Sequence, residues 1–376
     1  MKQVKKIFPM FLYWRILAFL PIMAGVFIVS YRSGYEYTNI FSLSTLDISQ
    51  AVYSLANFDG VRYLSIALRG YISEAAFFPL YPLLIKTFSF WSSNLIFIFW
   101  IGLTFSSLCF FGAIVFLYKL LRLDYSEKVS KETLFLMLVF PAAFFFGAVY
   151  SESLFLLLLV LTFYFIRKNE WSLACLCALL LSLTRLVGIF ILPSLLYEYF
   201  VVSKNKIISK NTLLLSAVPL GLISYGLFNL FKWKDALYFV HAHSQLANSR
   251  SVDRIILFPQ TMYRYFRILT TLPYSQYEWF LAAFELLVFA FAIILLYKAW
   301  RDKVRMSYLI FTFCAFFLPA SSGTFSGLPR YVVILFPLFI ALGLTKSKTL
   351  KYFYVLVSIL LQFLLLMFFS RGWYVS

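Results

Sequence analysis

Charge is what this chain has least of. Only 13% of its 376 residues are Asp, Glu, Lys or Arg, against about 25% in an ordinary soluble domain. Acidic residues are scarcest, 15 against 33 basic ones, which leaves a net charge of +18. Histidine is nearly absent, with His241 and His243 alone, in "FVHAHSQ". An H-x-H pair on a strand can hold a metal, but a helix turns the two rings apart, so residues at the lipid head groups are the simpler reading. The four cysteines, Cys109, Cys175, Cys177 and Cys314, all lie inside apolar runs. Cys175 and Cys177 point to different faces of a helix, so neither a disulfide framework nor a metal site emerges, and small packing residues remain. The chain has no G-x-G-x-x-G, G-x-x-x-x-G-K-[ST], H-E-x-x-H or G-x-S-x-G. That argues against an ATP-driven pump and against nucleotide-sugar chemistry on the inner face.

What the chain has is hydrocarbon. It is 62% hydrophobic, and apolar stretches recur along its length at the roughly 17–25 residues a helix needs to cross a bilayer. A β-barrel would alternate over about ten residues instead. The expected fold is an all-α polytopic membrane protein, one transmembrane domain over 1–376. Eleven spans are expected, near 8–30, 94–118, 132–149, 152–166, 171–185, 187–202, 211–231, 279–297, 306–320, 331–345 and 350–370. The first is too long in its apolar part for a cleaved signal. Segment 75–91, cut by Pro79 and Pro82, is expected as a broken or re-entrant piece covered by protein, since exposed irregular backbone is not tolerated in lipid.

In a soluble protein, +18 would point to nucleic acid. Here the cations fall in alternate loops: Lys2, Lys5 and Lys6, then 119–131, 167–168, 204–210, 298–305 and 346–351. The positive-inside rule therefore predicts a cytoplasmic N-terminus in a plasma membrane, and no nucleic-acid partner. Two outer segments are long, 31–93 and 232–278. Such loops are often functional, and helices lying along the outer membrane surface are expected in both. Together they would form the extracytoplasmic active-site face.

Ionisable residues beside spans default to a functional hypothesis. Asp59 and Arg62 in the first outer loop, Glu152 opening the fourth span, Arg185 closing the fifth and Arg330 opening the tenth are expected at one depth. Each also has a plain reading. Arg185 and Arg330 can snorkel to head groups, Glu152 and Ser151 can cap a helix, and Asp59 between Asn57 and Gly60 can serve a turn. A lone carboxylate can take a proton from an acceptor hydroxyl, and arginines can hold a lipid phosphate as it departs. Direct attack by the acceptor would invert the sugar's anomeric centre, and a second carboxylate acid is unnecessary.

The segment "FDGVRYLSIALRGY", followed by "FFPLYPLL", resembles the signature of the PIG-V group, the GPI mannosyltransferase 2 family and its bacterial or archaeal relatives. "YSESLFLLL" at 150–158, "LTRLVGI" at 183–189 and "PRYVVILFPLF" at 329–339 follow in the same order. Phe58 stands where that signature has tryptophan. The resemblance implies a GT-C bundle and transfer of a sugar, mannose in that family, from a polyprenyl-phosphate donor on the outer face to a glycan, glycolipid or protein acceptor. It implies that Asp59 is the general base. Arg62, Arg185, Arg330, Glu152 and Tyr81 are assigned to substrate and donor-phosphate binding, with no metal ligand named; the lipid-linked sugar donor is the expected cofactor, and the sequence does not decide whether a divalent metal takes part. A flippase of lipid-linked saccharides is the alternative. It would place charges at mid-membrane and show broken helices in paired halves.

Overall fold

The protein is described from a computed structural model covering residues 2–33, 38, 41–203, 210–242 and 256–375. His243, Lys204 and Lys206, with the 243–255 part of the second outer segment, lie outside the described residues. Among the described residues the regular structure is helical, apart from one isolated bridge between Ile256 and Ser322.

Five of the described helices are long and apolar enough to cross a bilayer: Lys5–Ile28, Leu95–Leu121, Thr212–Trp233, Tyr277–Arg301 and Lys348–Ser370. The other expected spans coincide with shorter pieces. Glu127–Leu138 and Trp171–Ser182 have 12 residues each, Met306–Ala320 has 15 and Glu152–Arg167 has 16. Expected span 331–345 is two helices, Leu328–Ile334 and Phe336–Gly343, broken at Leu335.

The expectation of a continuous helix over 132–149 needs correction. The helix stops at Leu138, and a 3-10 turn follows at Ala143–Gly147. Every residue from Leu136 to Leu156 is buried, so this irregular backbone is covered by protein, as a low-dielectric surrounding requires. Side chains from flanking helices satisfy its carbonyls. Trp14 Nε1 donates to Leu138 O at 3.0 Å, and Gln362 Nε2 donates to Leu138 O and Phe140 O, both at 3.0 Å. Arg15 Nη1 donates to Gly147 O at 2.5 Å and Ser153 Oγ to Phe146 O at 2.7 Å. Polar residues inside the first and last long helices are therefore there to close backbone hydrogen bonds elsewhere.

The motif helix Asp59–Arg69 is also placed differently from expectation. It buries Gly60, Val61, Tyr63, Leu64, Ser65, Ile66 and Ala67 and packs against Leu80–Phe88 and Leu95–Leu121, so it is embedded in the bundle, not laid on a membrane surface. Leu80–Phe88 is the piece that "FFPLYP" introduces. Pro82 sits in its first turn, where a missing N–H costs nothing. Leu80 N donates to Leu183 O at 3.0 Å, tying this piece to the break that carries Arg185. Glu74 folds the loop between the two helices, accepting from Ile72 N, Ser73 N and Ser65 Oγ. In the second outer segment, Phe258–Thr271 is an amphipathic helix that buries Thr261 and Tyr265 and exposes Met262, Tyr263 and Phe266.

Candidate functional site

Each of the four site charges sits where a helix begins or breaks. Asp59 opens its helix after Phe58, whose φ of 59° and ψ of −113° are a costly backbone state for a residue with a Cβ. Three contacts hold that turn: Val149 N to Leu55 O at 2.9 Å, Tyr150 Oη to Asn57 O at 2.7 Å, and Asn57 Nδ2 to Phe369 O at 2.9 Å. The Phe58 ring packs 5.6 Å from that of Phe369 and 5.5 Å from that of Tyr374. Glu152 is the first residue of Glu152–Arg167, where the helix dipole favours an anion. Arg185 lies in the extended break between Trp171–Ser182 and Leu186–Phe190. Arg330 is in the first turn of Leu328–Ile334, which follows Gly327 at φ 78°, a left-handed conformation that glycine adopts without strain.

The fold brings all four together. Arg330 bridges the two carboxylates: Nη1 lies 2.6 Å from Asp59 Oδ2, while Nε and Nη2 lie 2.8 and 2.7 Å from Glu152 Oε1. Arg185 Nη1 comes within 2.6 Å of the same Glu152 oxygen, so that one carboxylate oxygen serves both guanidinium groups. Glu152 Oε2 stays buried with no hydrogen-bond partner among the described residues. Each guanidinium is also stacked: Arg330 lies 4.8 Å from the Tyr150 ring centroid and 5.0 Å from that of Phe145, and Arg185 lies 4.6 Å from that of Tyr331. Such stacking adds to the ion pairing and fixes the side-chain orientation.

These contacts decide among the plain readings. Arg185 and Arg330 turn inward and do not snorkel. Glu152 uses its position at a helix start to hold two arginines, and the Asp59 carboxylate reaches across the fold, not into its own turn. The cluster contains two acids and two arginines and is therefore neutral. It is graded in exposure: the Glu152 side chain is 0% exposed, Arg330 10%, Arg185 11% and Asp59 29%. Asp59 is the member open to a ligand. Its Oδ2 is taken by Arg330 and its Oδ1 carries no hydrogen bond among the described residues.

The other two expected site residues stand apart. Arg62 follows Asp59 by three residues on the same helix, hence on the same side. It is half-buried and makes no ion pair among the described residues. Tyr81 is fully buried, bonded to Ser106 Oγ at 2.7 Å. Its ring meets Tyr63 edge-on at 4.9 Å, and Tyr63 Oη in turn bonds Ser151 Oγ at 2.9 Å. Tyr81 therefore supports the wall behind Glu152 and does not reach the charges. His241 pairs with Asp235 at 2.6 Å on the surface.

Sequence reasoning missed the C-terminal tail. After Ser370 the chain turns back across this end of the molecule. Arg371 Nη1 donates to Gln50 Oε1 at 2.9 Å, Trp373 Nε1 to Ser30 O at 2.9 Å, and Tyr277 Oη to Tyr374 O at 2.7 Å. Tyr374 thus stands between Phe58 and Ser326, whose Oγ lies 3.2 Å from its hydroxyl. The cluster of Arg, Trp and Tyr in "SRGWYVS" was the available signal. No family model and no curated protein matches the chain.

Proposed function

We propose that the chain is a membrane glycosyltransferase that moves a sugar from a polyprenyl-phosphate donor to an acceptor hydroxyl with inversion. Mannose and the GT-C architecture of about eleven spans follow from the resemblance to the PIG-V group, and the extracytoplasmic site follows from the basic inner loops. The observation that carries the reading is Asp59, a partly exposed carboxylate held at one oxygen by a buried arginine, with its other oxygen carrying no hydrogen bond among the described residues. In the step proposed, Asp59 Oδ1 takes the acceptor's hydroxyl proton as that oxygen attacks the anomeric carbon. The carbon–oxygen bond to phosphate breaks on the opposite face, and the polyprenyl phosphate leaves with the electron pair. Arg330 fixes Asp59, Glu152 pairs with both Arg330 and Arg185, and Arg62, which makes no ion pair among the described residues, meets the departing phosphate.

The test is sugar transfer from a synthetic polyprenyl-phosphate mannose by the purified chain, wild type against Asp59→Asn. The variant keeps the shape and loses the base, so turnover should fall by about 10²–10⁴-fold. Wild-type turnover in Asp59→Asn would remove Asp59 as base. Translocation of lipid-linked saccharide in liposomes without any sugar transfer would replace the enzyme by a flippase.

A further inference from the structure

We propose a second ligand site, on the end of the molecule opposite the Asp59 cluster: a pocket for an anionic phospholipid, with its phosphate among lysines and an acyl chain in an adjoining apolar groove. The pocket is a concavity of about 600 Å³ between Glu127–Leu138 and the start of Lys348–Ser370. Lys128, Lys346, Lys348 and Lys351 line it, with Glu132 as the one acid among the described residues, so four cations and one anion leave +3. Lys351 is committed, to Glu132 Oε2 at 2.5 Å and Gly343 O at 2.7 Å. Lys128, Lys346 and Lys348 are exposed and make no ion pair among the described residues. Three like charges around one concavity repel one another until an anion enters. Basic pockets between membrane helices are a recurrent device for lipid phosphate.

The groove supplies the other half of the argument. A separate cavity of about 420 Å³, with an almost wholly apolar wall, runs between the first helix and Lys348–Ser370 past Trp14, Leu17 and Phe363. Phe135 lines both cavities and is 42% exposed. A phosphate site and a hydrocarbon groove that meet at Phe135 match an amphiphile. A soluble phosphate ester would use the first alone, and a neutral lipid the second alone. The pocket is remote from Asp59: the 23 residues of Lys348–Ser370 put about 35 Å between it and the helix end, where Gln50 donates to Ser370 O and Asn57 to Phe369 O.

The experiment is native mass spectrometry of the full chain in detergent, titrated with phosphatidylglycerol, phosphatidylcholine and glycerol 3-phosphate. Wild type should hold one phosphatidylglycerol at a concentration at least tenfold below that needed for phosphatidylcholine, and glycerol 3-phosphate should not displace it at equal concentration. Lys128→Gln/Lys346→Gln/Lys348→Gln should weaken the phosphatidylglycerol adduct on the order of 100-fold and leave phosphatidylcholine unchanged. Equal binding of the two lipids, displacement by glycerol 3-phosphate, or an unchanged adduct in the triple variant would each overturn the proposal. The lipid comparison on wild type decides the matter even if the triple variant does not fold.

Discussion

At the scale of the residue, the decisive feature is that Glu152 is wholly buried and answered by two arginines. Removing one partner of a buried pair leaves an uncompensated charge, at a cost of about 3–5 kcal/mol. Arg185→Gln should therefore lower thermal stability in detergent steeply, by leaving the cluster one charge negative. Glu152→Gln/Arg185→Gln restores neutrality around the remaining Arg330–Asp59 pair. It should melt above Arg185→Gln alone; a double variant less stable than the single one would refute the charge-balance account. Arg62 is the contrasting case. It holds no ion pair among the described residues, so Arg62→Gln should fold and melt like wild type while kcat/KM for the donor falls by about 10²-fold or more. A normal donor response from Arg62→Gln would take it out of the site.

At the scale of the element, the site is a meeting of helix breaks. Asp59, Glu152, Arg185 and Arg330 come from four chain segments, none in the middle of a long helix. Breaks inside a bundle are sustained only when their backbone groups find partners, which is the work of Trp14, Arg15 and Gln362. The break at Arg185 depends in addition on close approach. A Cβ on Gly188 would press into the Leu181 carbonyl, which is backbone and cannot step aside. On Gly112 it would meet only the Leu157 side chain at 3.3 Å. Gly188→Ala should destabilise by about 1–3 kcal/mol and lower activity through displacement of Arg185, whereas Gly112→Ala should be close to neutral in a thermal melt. Equal melting of the two variants would show that the break tolerates displacement. The apolar runs were legible because composition and length report them directly, although five of the eleven expected spans are matched by described helices long enough to cross a bilayer. Their interruptions were not, because segment 139–149 is as apolar as a true span and its chain direction is decided by partners over a hundred residues away.

At the scale of the whole molecule, charge is sorted to two ends. Glu152–Arg167 starts in the acidic–arginine cluster and ends at Arg167, paired with Asp124 at 2.5 Å. Lys6–Glu127, Arg305–Glu198 and Lys351–Glu132 lie at that second end too, where the expected inner loops gather. We propose from the positive-inside rule that this end faces the cytoplasm. A membrane-impermeant maleimide applied to intact cells should label Ser93→Cys, beside the start of Leu95–Leu121, and not Thr349→Cys. The reverse pattern would invert the orientation and place the Asp59 cluster inside.

The helical class, the apolar stretches long enough to cross a bilayer and the membership of Asp59, Glu152, Arg185 and Arg330 in one set were all determined by the sequence. Each follows from counts and spacings along the chain, and a charge amid hydrocarbon stands out without any coordinates. Pairing was decided by the tertiary structure alone. Whether Arg330 faces lipid head groups or Glu152, and whether Arg62 or Arg185 pairs with Glu152, depends on how breaks far apart in the chain are brought within 3 Å. Distance in space, which sets the strength of an ion pair, is not written in distance along the chain.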